Sequence, residues 1–336
     1  MTSLTALVDG IRRLRGAPTI IFSVWLLTIA VSVPLALGLR SLIREHLDES
    51  MAADQALSGV NYEWWQEFSD QAAGLGVTFR PTIIGFGAVL DNLSGFIDND
   101  ARPVVIAGAA VAYVVVWIFI AGGIIDRFAR DRATRSYGFF AVSGTFFFRF
   151  LRLGVVMWIV YGFLFRFVHP WLFGETVYGR LTRDLTVERT AFFINVALYV
   201  LFGAVLAVCN LVFDYAKVRA VVEDRRSMLG AIAAAIGFIQ RNLAAAAGLY
   251  LLDFGLFLIA VGIYALIAPG AGGGGASVWI GFAIGQLYIL ARLKVKLLFW
   301  ASEVALFQSR LAHAGYVAAP KAVWPDSPTA EAIRQS

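Results

Sequence analysis

Six long apolar stretches constrain the fold of this chain more than any other feature of its sequence. A bilayer hydrocarbon core of about 30 Å requires roughly 20 apolar residues in a helix that rises about 1.5 Å per residue. Because lipid offers the backbone no hydrogen-bond partners, each stretch is expected to be an α-helix. The sequence therefore predicts an all-α integral membrane bundle, whose six transmembrane helices cover approximately residues 19–39, 103–125, 151–168, 191–213, 243–268 and 278–300.

The composition also indicates a chain solvated by lipid and argues against several other classes of protein. Apolar residues make up 59% of the 336 residues and charged residues 15%, against about half and about a quarter in a typical soluble domain. The net charge of +5 comes from cations that lie beside the apolar stretches, so we expect no nucleic-acid partner. With a single cysteine, Cys209, and no metal-ligand spacing among the histidines, we expect no internal disulfide, no metal and no cofactor.

The distribution of cations predicts the orientation of the chain in the membrane. Residues 40–102, on one side, hold four arginines against ten acidic residues. Cytoplasmic loops are enriched in Lys and Arg, so the opposite side is predicted to be cytoplasmic, with both termini on it. The cations on that side are Arg12, Arg13, Arg15, Arg127, Arg130, Arg132, Arg135, Lys217, Arg219, Arg225, Arg226 and Arg241.

Two recurring features indicate an internal repeat of two-helix units. The even-numbered spans end with an acidic residue and a nearby alanine, and these acids, Asp126, Asp214 and Glu303, are separated by 88 and 89 residues. A glycine followed by a cation precedes each odd-numbered span, at Gly10 to Arg13, Gly144 to Arg149 and Gly237 to Arg241. These features predict three units, each with an amphipathic interfacial helix, a span out and a span back. The alternative is that they are ordinary boundary residues of a six-span protein.

This organisation divides the chain into four parts. Residues 1–39 are expected to form an interfacial helix and the first transmembrane helix, and residues 40–102 an extracytoplasmic insert. Residues 103–303 hold transmembrane helices two to six with their cytoplasmic interfacial helices, and residues 304–336 form a cytoplasmic tail.

Within the insert, residues 41–57 and 60–74 carry helix formers with mixed charge and predict two short helices. Residues 81–97 are apolar but too short to span a bilayer. Trp64 and Trp65 are expected to anchor the insert at the membrane boundary, where tryptophan is enriched.

Ionisable residues interrupt the last two spans, where each is expected to cost at least about 2.5 kcal/mol on insertion and so to face protein or water. Asp253 lies in the fifth span, and Arg292, Lys294 and Lys296 lie in the sixth. If the connecting loop is centred near residues 272 to 273, an antiparallel hairpin places Asp253 opposite Arg292, which we therefore predict as its counter-ion. A helical projection places Arg292, Lys296 and Glu303 on one line and Lys294 on the other side.

Two interpretations of these charges remain open. The first is a ligand-binding stripe for an anionic headgroup or solute, formed by Asp253, Arg292, Lys296 and Glu303 with polar contacts from Asn210 and Gln286. The second is a structural ion pair that fixes the hairpin, while Lys294 and Lys296 extend to the headgroups.

Two segments that leave the spans carry a resemblance to known proteins. They are Gly122-Gly-Ile-Ile-Asp-Arg-Phe-Ala-Arg130 and Phe213-Asp-Tyr-Ala-Lys-Val-Arg-Ala-Val-Val-Glu-Asp-Arg-Arg-Ser227. In these segments the chain resembles uncharacterised bacterial six-span membrane proteins, a group similar to the membrane domain attached to some glycerophosphodiester phosphodiesterases. The resemblance implies a bacterial inner membrane and a connection to lipids, and it brings no catalytic residues.

The sequence contains no nucleotide-binding loop and no familiar hydrolase or zinc-protease motif. We therefore expect a membrane protein that binds or translocates an anionic amphiphile or solute, with membrane lipids as partners, in preference to an intramembrane enzyme that uses scattered acidic residues. The alternative is an accessory or scaffold subunit of a membrane protein complex, with other membrane proteins as its partners.

Overall fold

A computed structural model describes residues 1–48, 50–53, 61–80, 82–270 and 275–310. All regular secondary structure in these ranges is helical, and six helical segments are long and apolar enough to cross a membrane. The predicted all-α membrane bundle is therefore confirmed. The spanning segments are α2 (Pro18–Asp48), α5 (Val104–Arg130), the segment Ser136–Thr182 that begins with α6 (Ser136–Phe163), α9 (Glu188–Val222), α11 (Leu243–Ile267) and α12 (Ala276–Arg310).

Shorter helices lie at the two ends of the bundle. Because the spans alternate in direction, α1 and α10 lie at one end, here named the α1 face, and the others lie at the opposite end, here named the insert face. The short helices are α1 (Ser3–Arg15), α3 (Tyr62–Gln71), α4 (Gly85–Ile97), α7 (His169–Phe173), α8 (Arg180–Thr182) and α10 (Met228–Arg241).

Local signals in the sequence set the ends of the helices at the α1 face. Thr2 and Thr5 form a reciprocal capping box that begins α1, and the Ser227 hydroxyl accepts from the Gly230 amide at the start of α10. These bonds satisfy backbone donors that a helix start leaves unpaired. Asn242 separates the short helix α10 from the spanning helix α11.

The same type of contact recurs three times at the α1 face. The end of α5 packs on the start of α6, the end of α9 packs on α10, and the end of α12 packs on α1. The α12–α1 contact closes the arrangement, because it joins the last described helix to the first. A Cβ added to Gly10 would lie 2.8 Å from the Cα of Ser302, so the α1 and α12 backbones touch.

The hydrophobic core is concentrated where these helix ends meet. Phe128, Tyr215 and Phe307 are 0% exposed, and the Phe238 ring of α10 lies 5.0 Å from both the Tyr215 and the Phe307 ring. The middle of each span keeps more of its apolar side chains exposed, as expected for helices surrounded by lipid. The α1 face is therefore the most completely buried part of the described bundle.

Arginines at the α1 face bond to backbone carbonyls across helices. Arg13 Nη1 donates to the Phe128 carbonyl and to Gln308 Oε1, each at 2.7 Å. Arg127 Nη2 donates to the Gly16 carbonyl at 2.6 Å. Helix ends leave carbonyls without intrahelical partners, and these guanidinium groups satisfy them.

The insert has a small aromatic core of its own. Trp64 is 6% exposed, stacks on Phe68 and donates from Nε1 to His46 Nδ1 at 3.0 Å, while Trp65 Nε1 donates to the Phe79 carbonyl at 3.0 Å. The expectation that these tryptophans are membrane anchors is wrong for Trp64, because packing inside the insert buries it.

Several predicted boundaries differ from the structure. Residues 41–48 continue α2 and do not begin a separate helix, and residues 54–57 lie outside the described ranges. The segment around Gly144 belongs to the continuous helix α6, so the third span has no separate interfacial helix before it. Helix α12 continues to Arg310, and the predicted tail beyond it, residues 311–336, lies outside the described ranges.

Candidate functional site

A large cavity lies among the spanning helices. Its volume is about 1210 Å³, and α2, α5, α6, α9, α11 and α12 all contribute to its wall. Along α5 it extends from Ile106 to Ala121, a length of roughly 22 Å at 1.5 Å per residue. The cavity therefore occupies most of the depth that a bilayer core would have. We name it the central cavity.

Most of the wall of the central cavity is apolar and aromatic. Met157, Phe257 and Ile289 are representative of the side chains that face it. Val114 and Trp158, which also line it, are 54% and 77% exposed. The cavity is thus not sealed from the surroundings of the bundle, and an apolar molecule in the bilayer has access to it.

The end of the cavity nearest the α1 face carries a hydrogen-bonded polar cluster on α9, α11 and α12. Asp214 Oδ1 accepts from Lys217 Nζ at 2.7 Å and from Trp300 Nε1 at 3.1 Å. Asp214 Oδ2 accepts from the Asn210 amide at 2.9 Å, and this amide also donates to the Tyr250 hydroxyl at 3.2 Å. The carboxylate is therefore paired and has donors on both oxygens, which is how a buried charge is stabilised.

Lys296 lies beside this cluster but does not share its carboxylate. Its ammonium nitrogen is 3.5 Å from the centroid of the Trp117 ring, and Trp117 meets Trp300 edge to face at 5.6 Å. No carboxylate oxygen in the described ranges lies within 4.0 Å of this nitrogen. Lys296 is exposed, and its side chain borders the central cavity.

Arg292 is one helical turn farther from the α1 face. Its guanidinium carbon is 5.7 Å from the centroid of the Tyr288 ring, and the side chain borders the central cavity and a second cavity beside it. It too has no ion pair with any carboxylate of the described chain. A cation over an aromatic ring gains about 0.5–2 kcal/mol. The ring does not neutralise the charge, so Arg292 and Lys296 are both without a counter-ion in the described chain.

The described wall of the central cavity is therefore positively charged. Lys217, Arg292 and Lys296 contribute three positive charges and Asp214 one negative charge, which gives a net charge of +2. A cavity with this excess attracts anions, and its low-dielectric wall strengthens the attraction.

The predicted ion pair between Asp253 and Arg292 is not formed. Asp253 is 0% exposed, one of its oxygens accepts from the Ser302 hydroxyl at 2.7 Å, and the other has no hydrogen-bond partner. The residue of α12 that meets Asp253 is Ser302, ten positions beyond the predicted Arg292. At the turn, Gly281 lies beside Pro269, where an added Cβ would be 3.1 Å from the proline ring, whereas the predicted register pairs Pro269 with residue 276. The two helices therefore do not meet in the predicted register. Asp253 lines neither cavity.

Glu303 also lies away from the cavity, although it shares a helix line with Arg292 and Lys296. It is 2% exposed, and neither carboxyl oxygen has a hydrogen-bond partner within the described structure. The expectation that it stands at the cavity mouth is wrong, because α1 covers this part of α12. The acids at the ends of the even spans, Asp126, Asp214 and Glu303, are all buried, and only the first two have an ion-pair partner in the described chain.

Other side chains lie as follows. Asn210 lines the central cavity and Gln286 the second cavity, whereas Lys294 is exposed and lines neither. Sequence reasoning did not identify Trp117 or Lys217 as site residues. The signal for Lys217 was its position three residues after Asp214, since residues at that spacing share a helix face.

The described residues contain no group of three or more His, Cys, Asp or Glu side chains placed to hold a metal ion. Comparison of the chain with protein-family models, curated proteins and solved structures gives no match.

Proposed function

We propose that this protein binds an anionic amphiphile in the central cavity, with the anionic headgroup at Lys296 and Arg292. The observation that carries the proposal is that two cations on the cavity wall have no carboxylate partner in the described chain. Ionisable groups inside a membrane each cost at least about 2.5 kcal/mol unless they find a partner or water. A bound phosphate or carboxylate supplies that partner, so ligand binding offsets the cost.

The shape of the cavity favours an amphiphile over a small solute. Its volume of about 1210 Å³ exceeds the range of roughly 300–1,000 Å³ typical of small-molecule sites. Its apolar length accommodates an alkyl chain, and each methylene group removed from water contributes about 0.8 kcal/mol. Segments 122–130 and 213–227 resemble uncharacterised bacterial six-span membrane proteins, and the similarity of that group to the membrane domain attached to some glycerophosphodiester phosphodiesterases supports a lipid ligand.

We further propose that the protein resides in a bacterial inner membrane with the α1 face in the cytoplasm. The cations of that face, among them Arg12, Arg127 and Arg225, support this orientation through the enrichment of Lys and Arg in cytoplasmic loops. Labelling of a cysteine at Ser136 from only the outer side of intact cells would contradict it.

The three equivalent contacts at the α1 face support three repeated units. In each, the end of an even-numbered span packs against the segment that precedes the following odd-numbered span, and α12 packs on α1 in the same way. We infer that the repeat generates the bundle by rotation about an axis through the central cavity, so that each unit contributes two helices to its wall.

Binding by purified protein in detergent tests the proposal. We expect Lys296→Leu to weaken binding of phosphatidylglycerol by about 10- to 100-fold, because a hydrogen bond to a charged group contributes about 1.5–3 kcal/mol and each 1.4 kcal/mol is about tenfold. Lys294→Leu is the matched control, since it removes a cation of the same helix that lines neither cavity. Quenching of tryptophan fluorescence reports the binding, because Trp117 lies against Lys296.

Competing ligands separate the possible sources of the anionic group. Zwitterionic phosphatidylcholine should bind more weakly than phosphatidylglycerol, and inorganic phosphate should compete poorly because it cannot fill the apolar wall. Equal competition by phosphate would indicate an anionic solute instead. Unchanged phosphatidylglycerol affinity in Lys296→Leu would refute the proposal, and a stoichiometric protein partner in native membranes would then favour the role of a complex subunit.

A further inference from the structure

A second cavity of about 1090 Å³ lies between α4, α11 and α12, on the side of the insert face. Phe96 and Leu93 of α4 form one wall, and Leu258 and Val261 of α11 form part of the other. The only charged side chain among its described lining residues is Arg292. We name it the outer cavity.

The outer cavity adjoins the central cavity. Phe257, Ile289 and Arg292 line both, so one layer of side chains separates them. Arg292 is thus the polar group that a ligand meets from either side. Lys296 follows one helical turn later, about 6 Å along α12.

Helix α4 covers the outer cavity without filling it. At its start, an added Cβ on Gly85 would lie 2.3 Å from the Pro269 carbonyl oxygen, and Gly85 has a φ of +67°, a left-handed conformation that glycine adopts without strain. At its end, the Ile97 carbonyl accepts from His169 Nε2 at 2.7 Å. Between these two points α4 makes only sparse contact with the other described helices, which leaves the space beneath it open.

The lining of the outer cavity suits the same class of ligand as the central cavity. Its wall is apolar, with one cation that has no ion pair in the described chain and no acidic residue beside it. The side-chain oxygen of Gln286 accepts from Trp25 Nε1 at 3.0 Å, which fixes this amide between α2 and α12. An alkyl chain with an anionic headgroup at Arg292 matches both the apolar wall and the charge.

We propose that the outer cavity is a second binding station for the anionic amphiphile, and that Arg292 transfers the headgroup to Lys296. The ligand then moves between the insert face and the central cavity past Phe257 and Ile289, and the protein carries the amphiphile from one half of the bilayer to the other. This inference rests on the proposed function, because it takes the central cavity as the other station.

Substitutions that fill one cavity at a time test the inference. Gly285 lines the outer cavity alone, and nothing lies within 4 Å of an added Cβ, so Gly285→Trp fills this space without a backbone clash. Ala110 lines the central cavity alone, and Ala110→Trp fills that one. Size-exclusion chromatography and circular dichroism verify that both variants retain the fold.

Native mass spectrometry with phosphatidylglycerol counts the bound lipids. We expect two per wild-type chain, one per Gly285→Trp chain and one per Ala110→Trp chain. The lipid that remains in Gly285→Trp should be lost when Lys296→Leu is added. The lipid that remains in Ala110→Trp should be retained when the same substitution is added. Two retained lipids in Gly285→Trp would overturn the outer station and leave the central site intact.

Transfer is measured in proteoliposomes with fluorescent phosphatidylglycerol and a quencher added to one side. The wild-type protein should move the lipid between leaflets faster than protein-free liposomes, and Lys294→Leu should match the wild type. Both tryptophan variants should fall to the protein-free rate. The inference would be overturned if Gly285→Trp transferred the lipid at the wild-type rate, or if the wild-type protein did not transfer it at all. The proposed function itself would be refuted if Ala110→Trp and Lys296→Leu both bound the lipid normally.

Discussion

The contact between α1 and α12 predicts opposite effects for two glycine-to-alanine substitutions. In Gly10→Ala the new Cβ would lie 2.8 Å from the amide nitrogen, Cα and Cβ of Ser302. Ordinary contacts to a Cβ are longer than 3.4 Å, so the two backbones must separate by more than half an ångström. Two of these atoms belong to the backbone and cannot rotate away. The substitution therefore acts on the whole packed length of α1.

The expected loss of stability follows from two opposing terms. Overpacking of a tight contact costs typically about 1–3 kcal/mol, and alanine gains about 1 kcal/mol over glycine in helix propensity. Gly10→Ala should therefore destabilise by up to about 2 kcal/mol. Gly144 lies inside α6 with nothing within 4 Å of an added Cβ, so Gly144→Ala should be neutral or stabilising by up to about 1 kcal/mol.

Thermal unfolding in one detergent, followed by size-exclusion chromatography, compares the two variants with the wild type. We expect a lower transition temperature for Gly10→Ala and an equal or higher one for Gly144→Ala. A Gly10→Ala protein as stable as Gly144→Ala would show that α1 is not held against α12, and the closed arrangement of the α1 face would then be incorrect.

Further predictions concern the polar groups. Lys217→Leu removes the ion-pair partner of buried Asp214 and should destabilise the protein by about 3–5 kcal/mol, as is typical when one member of a buried pair is lost. Adding Asp214→Asn should restore part of the lost thermal stability, and no recovery would contradict the pairing. Trp64→Phe removes the bond to His46 and should cost about 0.5–1.5 kcal/mol, seen as faster proteolysis within the insert while the spans stay intact. The hydrogen bond from Tyr199 and then that from Ser94 lower the pKa of Asp98 below its usual value of 3.8, so its contribution to stability is present above pH 3.8 and is lost as the pH falls through the lowered pKa. Tyr199→Phe should reduce the loss of thermal stability as the pH falls from 3.8 through the lowered pKa of Asp98, and an identical acid dependence in the two proteins would refute the assignment.

The architecture was predictable because one physical requirement dominates it. A helix in lipid must be long and apolar, and such a stretch can be recognised in the sequence without any knowledge of neighbouring helices. The same requirement does not mark helix ends that are covered by protein. For this reason α12 extends to Arg310, beyond the predicted end of the sixth span at residue 300, and α6 continues without a break through Gly144.

The site was predictable only in part because it depends on the register between helices. A projection of α12 alone placed Arg292 and Lys296 on one face, and both line the central cavity. The partner of Asp253 could not be obtained that way, since it depends on how far α12 extends beyond the turn. Similarly, Gly10 and Gly144 occupy equivalent positions in the predicted repeat, but Gly144 does not make the close contact in the second unit. The neighbouring Ser143 makes it, since a Cβ added to Gly123 would lie 2.5 Å from the Ser143 hydroxyl.

The closure of α12 onto α1 has a consequence for the order of assembly. During synthesis α1 emerges long before α12, so its buried face, with Ala6 and Leu7, must wait for a partner that lies almost 300 residues later. Contacts of such sequence separation form late, because most of the chain must be inserted before they become possible. The arrival of α12 brings Lys296 and closes the core in the same step. The protein therefore completes its candidate site only when its last span is in place.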